Sequence, residues 1–465
     1  MSPSIIGNLV QLSDLLLFLL SGLLTRMVLL PKQGWHSDGL LFLATLVGGV
    51  LTTHLLARAN AYTPHSLRSV GNQFVLLPKP LLLATGSVVV CIFLLGGAGQ
   101  TFREWPLVWL GLSFVLFMVS RGLLSRLLHH WMETGRLARR VAVIGAGELS
   151  REFINRLRAE PHAYTIVGLY DDRLSRIPPT QDGVEVRGTV QTLLERSREE
   201  EIDVIVIALP LSAADRISVI LEQVRSTIAD VCLTTDLTGL RYSSGQMSTI
   251  GANPVVLMEE RPLKDWRGAK KFAFDMVMGS FLIVVTSPFL ALIALLIRLD
   301  SPGPVIFRQP RLGFNNKLFT CYKFRTMRND MTDLLADRQT TRDDPRVTRI
   351  GKWLRMLSFD ELPQLFNVIK GDMSLVGPRP HAPNTKAADQ LYSDVVAKYA
   401  LRHRVKPGIT GWAQVNGWRG ETKKVEQIEN RVACDLDYIE NWSLWFDVRI
   451  LMLTITREIL SSSAF

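Results

Sequence analysis

Long apolar runs fill the first quarter of the chain and then give way to short β-branched runs, a change that marks passage from lipid to water. Four stretches, Ile5 to Leu30, Gly39 to Ala59, Phe74 to Gly97 and Pro106 to Leu128, each approach the roughly 20 residues needed to cross a bilayer. Residues 1–135 therefore read as a transmembrane four-helix bundle. Arg58, Arg68 and Lys79 lie around the second connection, and Arg121, Arg126, Arg136, Arg139 and Arg140 follow the fourth helix, whereas the third connection carries only Arg103 beside Glu104. The positive-inside rule puts both ends of the bundle in the cytoplasm. Asp14 inside the first helix is expected to face a bundle neighbour or the interface in a structural role, because an ionisable group in hydrocarbon is costly. The apolar N-terminus lacks a basic leader region and a small-residue cleavage site, so it reads as a retained helix and not a signal peptide.

From Arg139 the pattern shortens. Val141 to Ile144, Thr165 to Tyr170, Val184 to Val186, Asp203 to Ala208 and Val231 to Thr234 read as strands separated by helices, which predicts a Rossmann-like doubly wound parallel sheet over residues 136–256. The first strand runs into Gly145-Ala-Gly-Glu-Leu-Ser150, with Asp171 and Asp172 ending the second. Gly145, Gly147 and Asp171 are thus a candidate nucleotide turn, helix N-terminus and ribose-binding acid included. The bland reading is a tight strand-to-helix turn, and the motif lacks its third glycine.

Asn253 to Lys270 looks like a linker ending in the basic residues Lys264, Arg267, Lys270 and Lys271. The run from Met276 to Ile297 is apolar apart from Ser280, Thr286 and Ser287, with Pro288 near its centre; at about 33 Å it is long enough to span. Three features argue against spanning. Pro288 removes a backbone donor, so a break is expected at Ser287 and Pro288. Arg298, Arg308, Arg311, Lys317, Lys323 and Arg325 follow, making both flanks basic. A spanning helix would also separate the C-terminal region from cytoplasmic nucleotides. The expectation is a kinked re-entrant helix over 272–298, inside a mainly helical monotopic catalytic domain at 257–465. The fold class is then an α/β membrane protein of three parts.

Composition agrees with a membrane location, at 47% hydrophobic residues and a mean hydropathy of +0.17. A formal charge of +10 suits an anionic partner. Because the basic residues gather beside apolar segments, lipid headgroups fit better than nucleic acid. Cys91, Cys232, Cys321 and Cys434 are widely spaced and form neither a disulfide framework nor a zinc pattern.

The chemistry concentrates in Ser358 to Pro380, where Asp360 and Glu361 precede Arg379 in Gly-Pro-Arg-Pro. Adjacent carboxylates followed by a fixed guanidinium suit phosphoryl chemistry: one carboxylate serves as nucleophile or metal ligand while the cation holds phosphate oxygens. Against this, Ser358 and Glu361 also match a helix capping box. Arg379 is the candidate phosphate clamp, its loop restricted by the prolines. Lys323 and Arg325 alternate with Tyr322, Phe324 and Thr326, a strand pattern that would put both cations on one face toward a lipid phosphate or diphosphate. Arg308 and Arg311 read as surface or leaflet contacts. His381 and His403 come without metal-ligand spacing and carry little weight. Trp412, Trp418, Trp442 and Trp445 read as core or interfacial aromatics. Trp412 and Arg419 are also candidate nucleotide contacts.

From Phe272 onward the chain resembles the bacterial sugar transferases, the polyprenyl-phosphate hexose-1-phosphate transferases. The resemblance rests on Lys270 to Asp275, Ser287-Pro288, Asp300 to Gln309, Tyr322 to Met327, Asp344 to Arg349, Asp360 to Gln364, Gly377 to Pro380 and Lys406 to Gln414. With the bundle and Rossmann-like domain it extends to the large multi-pass branch of that family. Asn416 to Glu421 and Asn441 to Asp447 make the glucose phosphotransferases of exopolysaccharide synthesis the most similar group. The resemblance implies transfer of a sugar phosphate, glucose-1-phosphate first, from a UDP-sugar to undecaprenyl phosphate at the bacterial inner membrane. It also implies Asp360 as nucleophile, Asp360 and Glu361 as magnesium ligands, and Lys323 and Arg325 in the site. Galactose or an N-acetylated hexose is the alternative sugar. A membrane-anchored nucleotide sensor and a non-catalytic scaffold of polysaccharide export are the alternatives of other classes. The oligomeric state, a homodimer included, stays open.

Overall fold

The computed structural model describes residues 3–29, 35–94, 105–135, 137–158, 163–234, 246–328, 344–382, 386–387, 390–391, 399–418 and 425–460. It divides into two compact units, Met1–Ala138 and Arg139–Phe465.

In the first unit, α1 (Pro3–Leu29), α2 (Trp35–Arg58), two short helices α3 (Pro64–Arg68) and α4 (Val70–Leu76), α5 (Pro78–Leu94) and α6 (Trp105–Glu133) follow the apolar runs. Helices Ile5–Leu29, Val70–Cys91 and Trp105–Glu133 are long and apolar enough to cross a membrane, as is Asp265–Asp300 further on, while Phe42–Arg58 is shorter. Helix α1 packs on α2 and α6, and α2 on α5, around Phe18, Leu56, Trp105, Trp109 and Phe117. The ionisable group in α1 has its partners here. Asp14 meets Arg121 Nη2 at 2.5 Å and accepts from the Tyr62 hydroxyl at 3.0 Å. Arg121 Nε donates to Gln73 Oε1 at 3.1 Å. Both charges are fully buried. Asp14→Ala is therefore expected to cost about 3–5 kcal/mol, because it leaves a buried guanidinium without its counter-ion. The double substitution Asp14→Leu, Arg121→Met should recover most of that loss, read by thermal unfolding in detergent. A single variant as stable as wild type would remove the clamp.

The second unit begins with an eight-stranded sheet in the order β3-β4-β2-β1-β5-β6-β8-β7. Its strands are β1 (Arg139–Ile144), β2 (Tyr164–Tyr170), β3 (Thr180–Gln181), β4 (Val184–Gly188), β5 (Val204–Ile207), β6 (Asp230–Leu233), β7 (Gln246–Ile250) and β8 (Asn253–Glu259). The five expected strands form the parallel centre, and the inner ones, β1, β5 and β6, are apolar runs buried on both faces as that position requires. Helices α7 (Glu148–Leu157), α8 (Val190–Glu199) and α9 (Ala214–Val224) alternate with them. The sheet is mixed and not wholly parallel. Much of the expected linker is strand β8, which runs antiparallel to β6 and hairpins with β7. Its Pro254 and interrupted apolar pattern hid an edge hairpin.

Helix α10 (Asp265–Asp300) follows as one continuous 36-residue helix with Pro288 inside it. The helix is not interrupted at Ser287 and Pro288, where the sequence predicts a break. Pro288 leaves the Val284 carbonyl without its amide donor, and the Ser287 hydroxyl donates to that oxygen at 2.8 Å, a local substitution that lets a helix continue past proline. Beyond it come an antiparallel hairpin of β9 (Ile306–Leu312) and β10 (Leu318–Phe324), then α11 (Arg349–Met356), a single turn at Phe359–Glu361, α12 (Gln364–Lys370) and β11 (Ser374–Val376). Strand β11 pairs in parallel with Gly408–Thr410. A Cβ on Gly408 would lie 2.1 Å from the Gly377 nitrogen, and one on Gly377 would lie 2.5 Å from the Lys406 carbonyl oxygen. Both glycines therefore answer to close backbone approach. Two C-terminal helices, Val425–Glu440 and Leu444–Leu460, close the unit. Their buried Asp447 accepts from Lys271 at 2.6 Å, the Tyr438 hydroxyl at 2.8 Å and Trp442 Nε1 at 3.1 Å, which fixes the start of α10.

Candidate active site

The acidic pair sits on one tight turn. Leu357 ends α11, Ser358 turns back in the left-handed region at φ 58°, and Phe359–Glu361 makes one 3-10 turn before α12. Ser358 makes no side-chain cap bond here, so the capping box read from Ser358 and Glu361 is not formed. Its geometry needs extended backbone at the cap residue, and the left-handed turn removes it.

Glu361 is turned inward instead. Arg379 forks onto its carboxylate, Nη1 to Oε2 at 2.9 Å and Nη2 to Oε1 at 2.5 Å, and Lys323 Nζ reaches Oε1 at 2.8 Å. Burial alone would raise the Glu361 carboxyl, but Arg379 and Lys323 outweigh it and hold the group well below the ordinary carboxylate range. Asp360 is half-buried and accepts no hydrogen bond from any described residue. Burial, with the Glu361 charge beside it, holds its carboxyl above the ordinary range against the pull of Lys323, Arg355 and Arg379. Two neighbouring carboxylates are thus driven apart: one is held toward the ionised form and committed to cations, the other is open.

The hairpin supplies the cationic wall. Its register pairs Phe319 with Arg311, Cys321 with Gln309 and Lys323 with Phe307, so Gln309, Arg311 and Lys323 share a face. Arg311, expected at the surface, is held here by Gln309 Oε1 at 3.0 and 3.2 Å and by the Pro380 carbonyl oxygen at 2.6 Å. Arg402 donates to the Arg379 carbonyl oxygen at 2.8 Å. Two guanidiniums therefore brace the backbone of the clamp loop. Strand alternation held the signal for Arg311, which shares parity with Gln309; Arg402 is visible only once the fold brings residues 23 apart together.

Arg325 lies elsewhere. The strand ends at Phe324, and the Arg325 guanidinium turns to the end of α10, donating to the Pro302 carbonyl oxygen at 2.9 Å and the Ser301 carbonyl oxygen at 2.6 Å. The expected basic face of Lys323 and Arg325 is thus split, because helix C-terminal carbonyls compete for the second cation. Trp412 donates through Nε1 to Asp437 at 2.9 Å and stacks edge-on against Phe446, and Arg419 lies outside the described residues. His381 is buried, and burial with Arg402 and Arg431 holds its imidazole well below the ordinary range. His403 is pushed down to about 3 by burial and Arg402, and it bonds Asn316. Neither histidine is poised for proton transfer near neutral pH.

The glycine turn of the sheet domain is engaged with its own chain. Asp171 is fully buried, accepts from the Ala146 amide at 2.9 Å, and pairs with Arg173 at 2.9 Å and Arg216 at 2.8 Å. A Cβ on Gly145, at φ 101°, would lie 2.8 Å from the Ala208 carbonyl oxygen, and Ser150 takes the Gly147 amide at 2.9 Å. Packing accounts for Gly145 and Asp171, whereas a Cβ on Gly147 would meet nothing within 4 Å.

Lys323 and Arg379 contact Glu361, and the charges of Arg355 and Arg311 act on the same pair of carboxylates, a surplus of cations suited to a diphosphate. Magnesium fits such a donor set, since it keeps waters and takes one or two carboxylates together with substrate phosphates. Asp360 would offer it an open carboxylate, whereas Glu361 would share its oxygens with Arg379 and Lys323.

A family model described as bacterial sugar transferase matches residues 266–461, and one described as a CoA-binding domain matches residues 58–234. The chain is 42% identical over 407 residues to the undecaprenyl-phosphate glucose phosphotransferase of Komagataeibacter xylinus, covering 85% of this chain and 73% of that protein. It is 38% identical over 363 residues to the UDP-glucose:undecaprenyl-phosphate glucose-1-phosphate transferase of Escherichia coli K12, covering 77% and 76%. Against the exopolysaccharide production protein PSS of Rhizobium leguminosarum bv. phaseoli it is 47% identical, over 42% of this chain and 98% of that one.

Proposed function

This chain belongs to the bacterial sugar transferase family, and on that footing we propose that it transfers a hexose-1-phosphate, glucose-1-phosphate first, from a UDP-sugar to undecaprenyl phosphate. UMP is released and an exopolysaccharide repeat unit begins. The observation that carries the reading is the 42% identity across most of both chains with a glucose phosphotransferase; the open Asp360 carboxylate within a cationic wall supports it.

An Asp360 oxygen attacks the sugar-bearing phosphorus of the UDP-sugar, and the bond from that phosphorus to the bridging oxygen breaks, so UMP leaves with the electron pair. An oxygen of undecaprenyl phosphate then attacks the same phosphorus and the aspartyl bond breaks, restoring the carboxylate. The lipid diphosphate sugar is the product. Splitting the transfer lets one site meet a soluble anion and a membrane anion in turn. Lys323 and Arg379 hold the phosphate oxygens, and Glu361 fixes both cations beside Asp360. Magnesium held by Asp360, with Glu361 adjoining, would supply neutralisation of charge as the anions meet.

The test is UMP release from membranes given UDP-glucose, UDP-galactose or UDP-N-acetylglucosamine with undecaprenyl phosphate. Release that depends on UDP-glucose is expected; preference for another sugar moves the substrate, and no release from any of them ends the reading. A non-catalytic scaffold of polysaccharide export would instead keep its role after loss of both Asp360 and Glu361. A nucleotide sensor would require a fragment starting near Lys264 to be inactive.

The reading places both soluble parts on the cytoplasmic side of the inner membrane, with α10 entering and leaving by one leaflet. At about 54 Å if straight, this helix exceeds the bilayer core, so entry and exit by one leaflet require a bend within it, and Pro288 is the place for that bend. In a cysteine-free background, Trp266→Cys and Leu318→Cys should both react with an impermeant maleimide only from the cytoplasmic face. Leu318→Cys reacting only from outside would make α10 a crossing and refute the re-entrant arrangement.

A further inference from the structure

A cleft of about 600 Å³, mouth included, is walled by the link after β8, the first turns of α10, Phe314 at the hairpin turn and the segment Arg404 to Lys406. Asp360, Glu361, Arg379, Lys323 and Arg311 are not among its walls. Two of its charged groups satisfy each other and their neighbours. Lys271 pairs with Asp447 at 2.6 Å, and Asp275 accepts from Ser374 Oγ at 3.0 Å and the Leu375 amide at 3.1 Å while lying 3.6 Å from Lys271.

Three cations remain. Arg261 and Lys406 have no carboxylate partner among the described residues. Lys406 instead runs over the Phe272 ring at 5.5 Å. Arg404 is more than nine-tenths buried, pairs with Glu259 at 3.4 Å and donates through Nη2 to the Glu260 carbonyl oxygen at 2.8 Å, while its Nε is buried with no acceptor among the described residues. Buried donors in native proteins are almost always met, and surplus buried cations are costly unless an anion joins them. The remaining walls, Leu263, Phe272 and Phe314 among them, are apolar, as in sites for molecules with one charged and one apolar part.

Phe272 lies four residues before the apolar run of α10 begins at Met276, which puts the cleft at headgroup level. We propose that this cleft is a second phosphate-binding site, separate from the Asp360 turn, which takes a phosphate ester carrying an apolar or aromatic portion. Arg261, Arg404 and Lys406 bind its oxygens, and Leu263, Phe272 and Phe314 cover the rest. A phospholipid headgroup and a nucleoside monophosphate share this chemistry.

The test uses the full chain in nanodiscs and hydrogen–deuterium exchange of segments 261–275 and 404–408. One arm compares phosphatidylcholine with a phosphatidylcholine–phosphatidylglycerol mixture; the other titrates UMP into phosphatidylcholine discs. One probe is expected to protect both segments. Arg261→Gln with Lys406→Gln should weaken that protection by about tenfold in ligand concentration, whereas Arg261→Lys with Lys406→Arg keeps it. UMP protection near Asp360 should survive in the double glutamine variant, which separates this cleft from the catalytic turn. If the double variant fails to fold, Lys406→Gln alone carries the comparison. Protection by neither probe, or protection unchanged by the glutamine variants, overturns the proposal.

Discussion

Asp360→Asn is expected to abolish transfer, by at least about 10³-fold, in a protein that still folds. The amide occupies the same space, and Asp360 has no described hydrogen-bond partner whose loss would unsettle the turn. A missing nucleophile removes the whole covalent route, an effect of several orders of magnitude in other covalent enzymes. The check is UMP release by wild-type and variant membranes at matched expression. Turnover within tenfold of wild type would remove the nucleophile assignment. The same group sets the acid limb of the pH profile. Asp360 must be ionised to attack, and burial with the Glu361 charge raises its pKa. The fall in kcat/KM on acidification should therefore begin above the ordinary aspartate value of about 4.

Arg379→Ala is expected to lower transfer by about 10²–10³-fold, equivalent to about 3–4 kcal/mol at the transition state. It should also destabilise the protein, because Glu361 is left buried with Lys323 alone. Glu361→Gln does the converse, releasing two cations into a wall already rich in them. Because the two residues form one unit, their combined effect should be well short of the sum of the single effects. Additive losses in activity and stability would mean that the fork seen at 2.5 and 2.9 Å is incidental. The acid stability follows with its sign. The folded Glu361 pKa is depressed, so its contribution is present above its unfolded value of about 4.3 and is lost as pH falls toward the folded one. Asp360 acts oppositely: its raised pKa makes ionisation cost stability as pH rises through it.

Much of this was legible in the chain. The inner parallel strands stood out because Val141 to Ile144 and Val204 to Ile207 are buried on both faces, where continuous β-branched runs have few alternatives. Glu361 and Arg379 stood out because the adjacent carboxylates and the proline-flanked arginine are unusual in any local pattern. What escaped notice is decided by competition between partners. Lys323 and Arg325 have the same alternation, but a helix end claims one and a carboxylate the other. Arg311 looks like one more surface cation until the hairpin register turns it inward. Pro288 signals a break, and one hydroxyl at Ser287 suffices to carry the helix through.

The grip of Arg325 on the final turn of α10 ties a lipid-facing element to the short segment that bears Lys323. A tilt of this helix is therefore carried into the Lys323 strand, and through it to the ammonium that holds Glu361 beside Asp360.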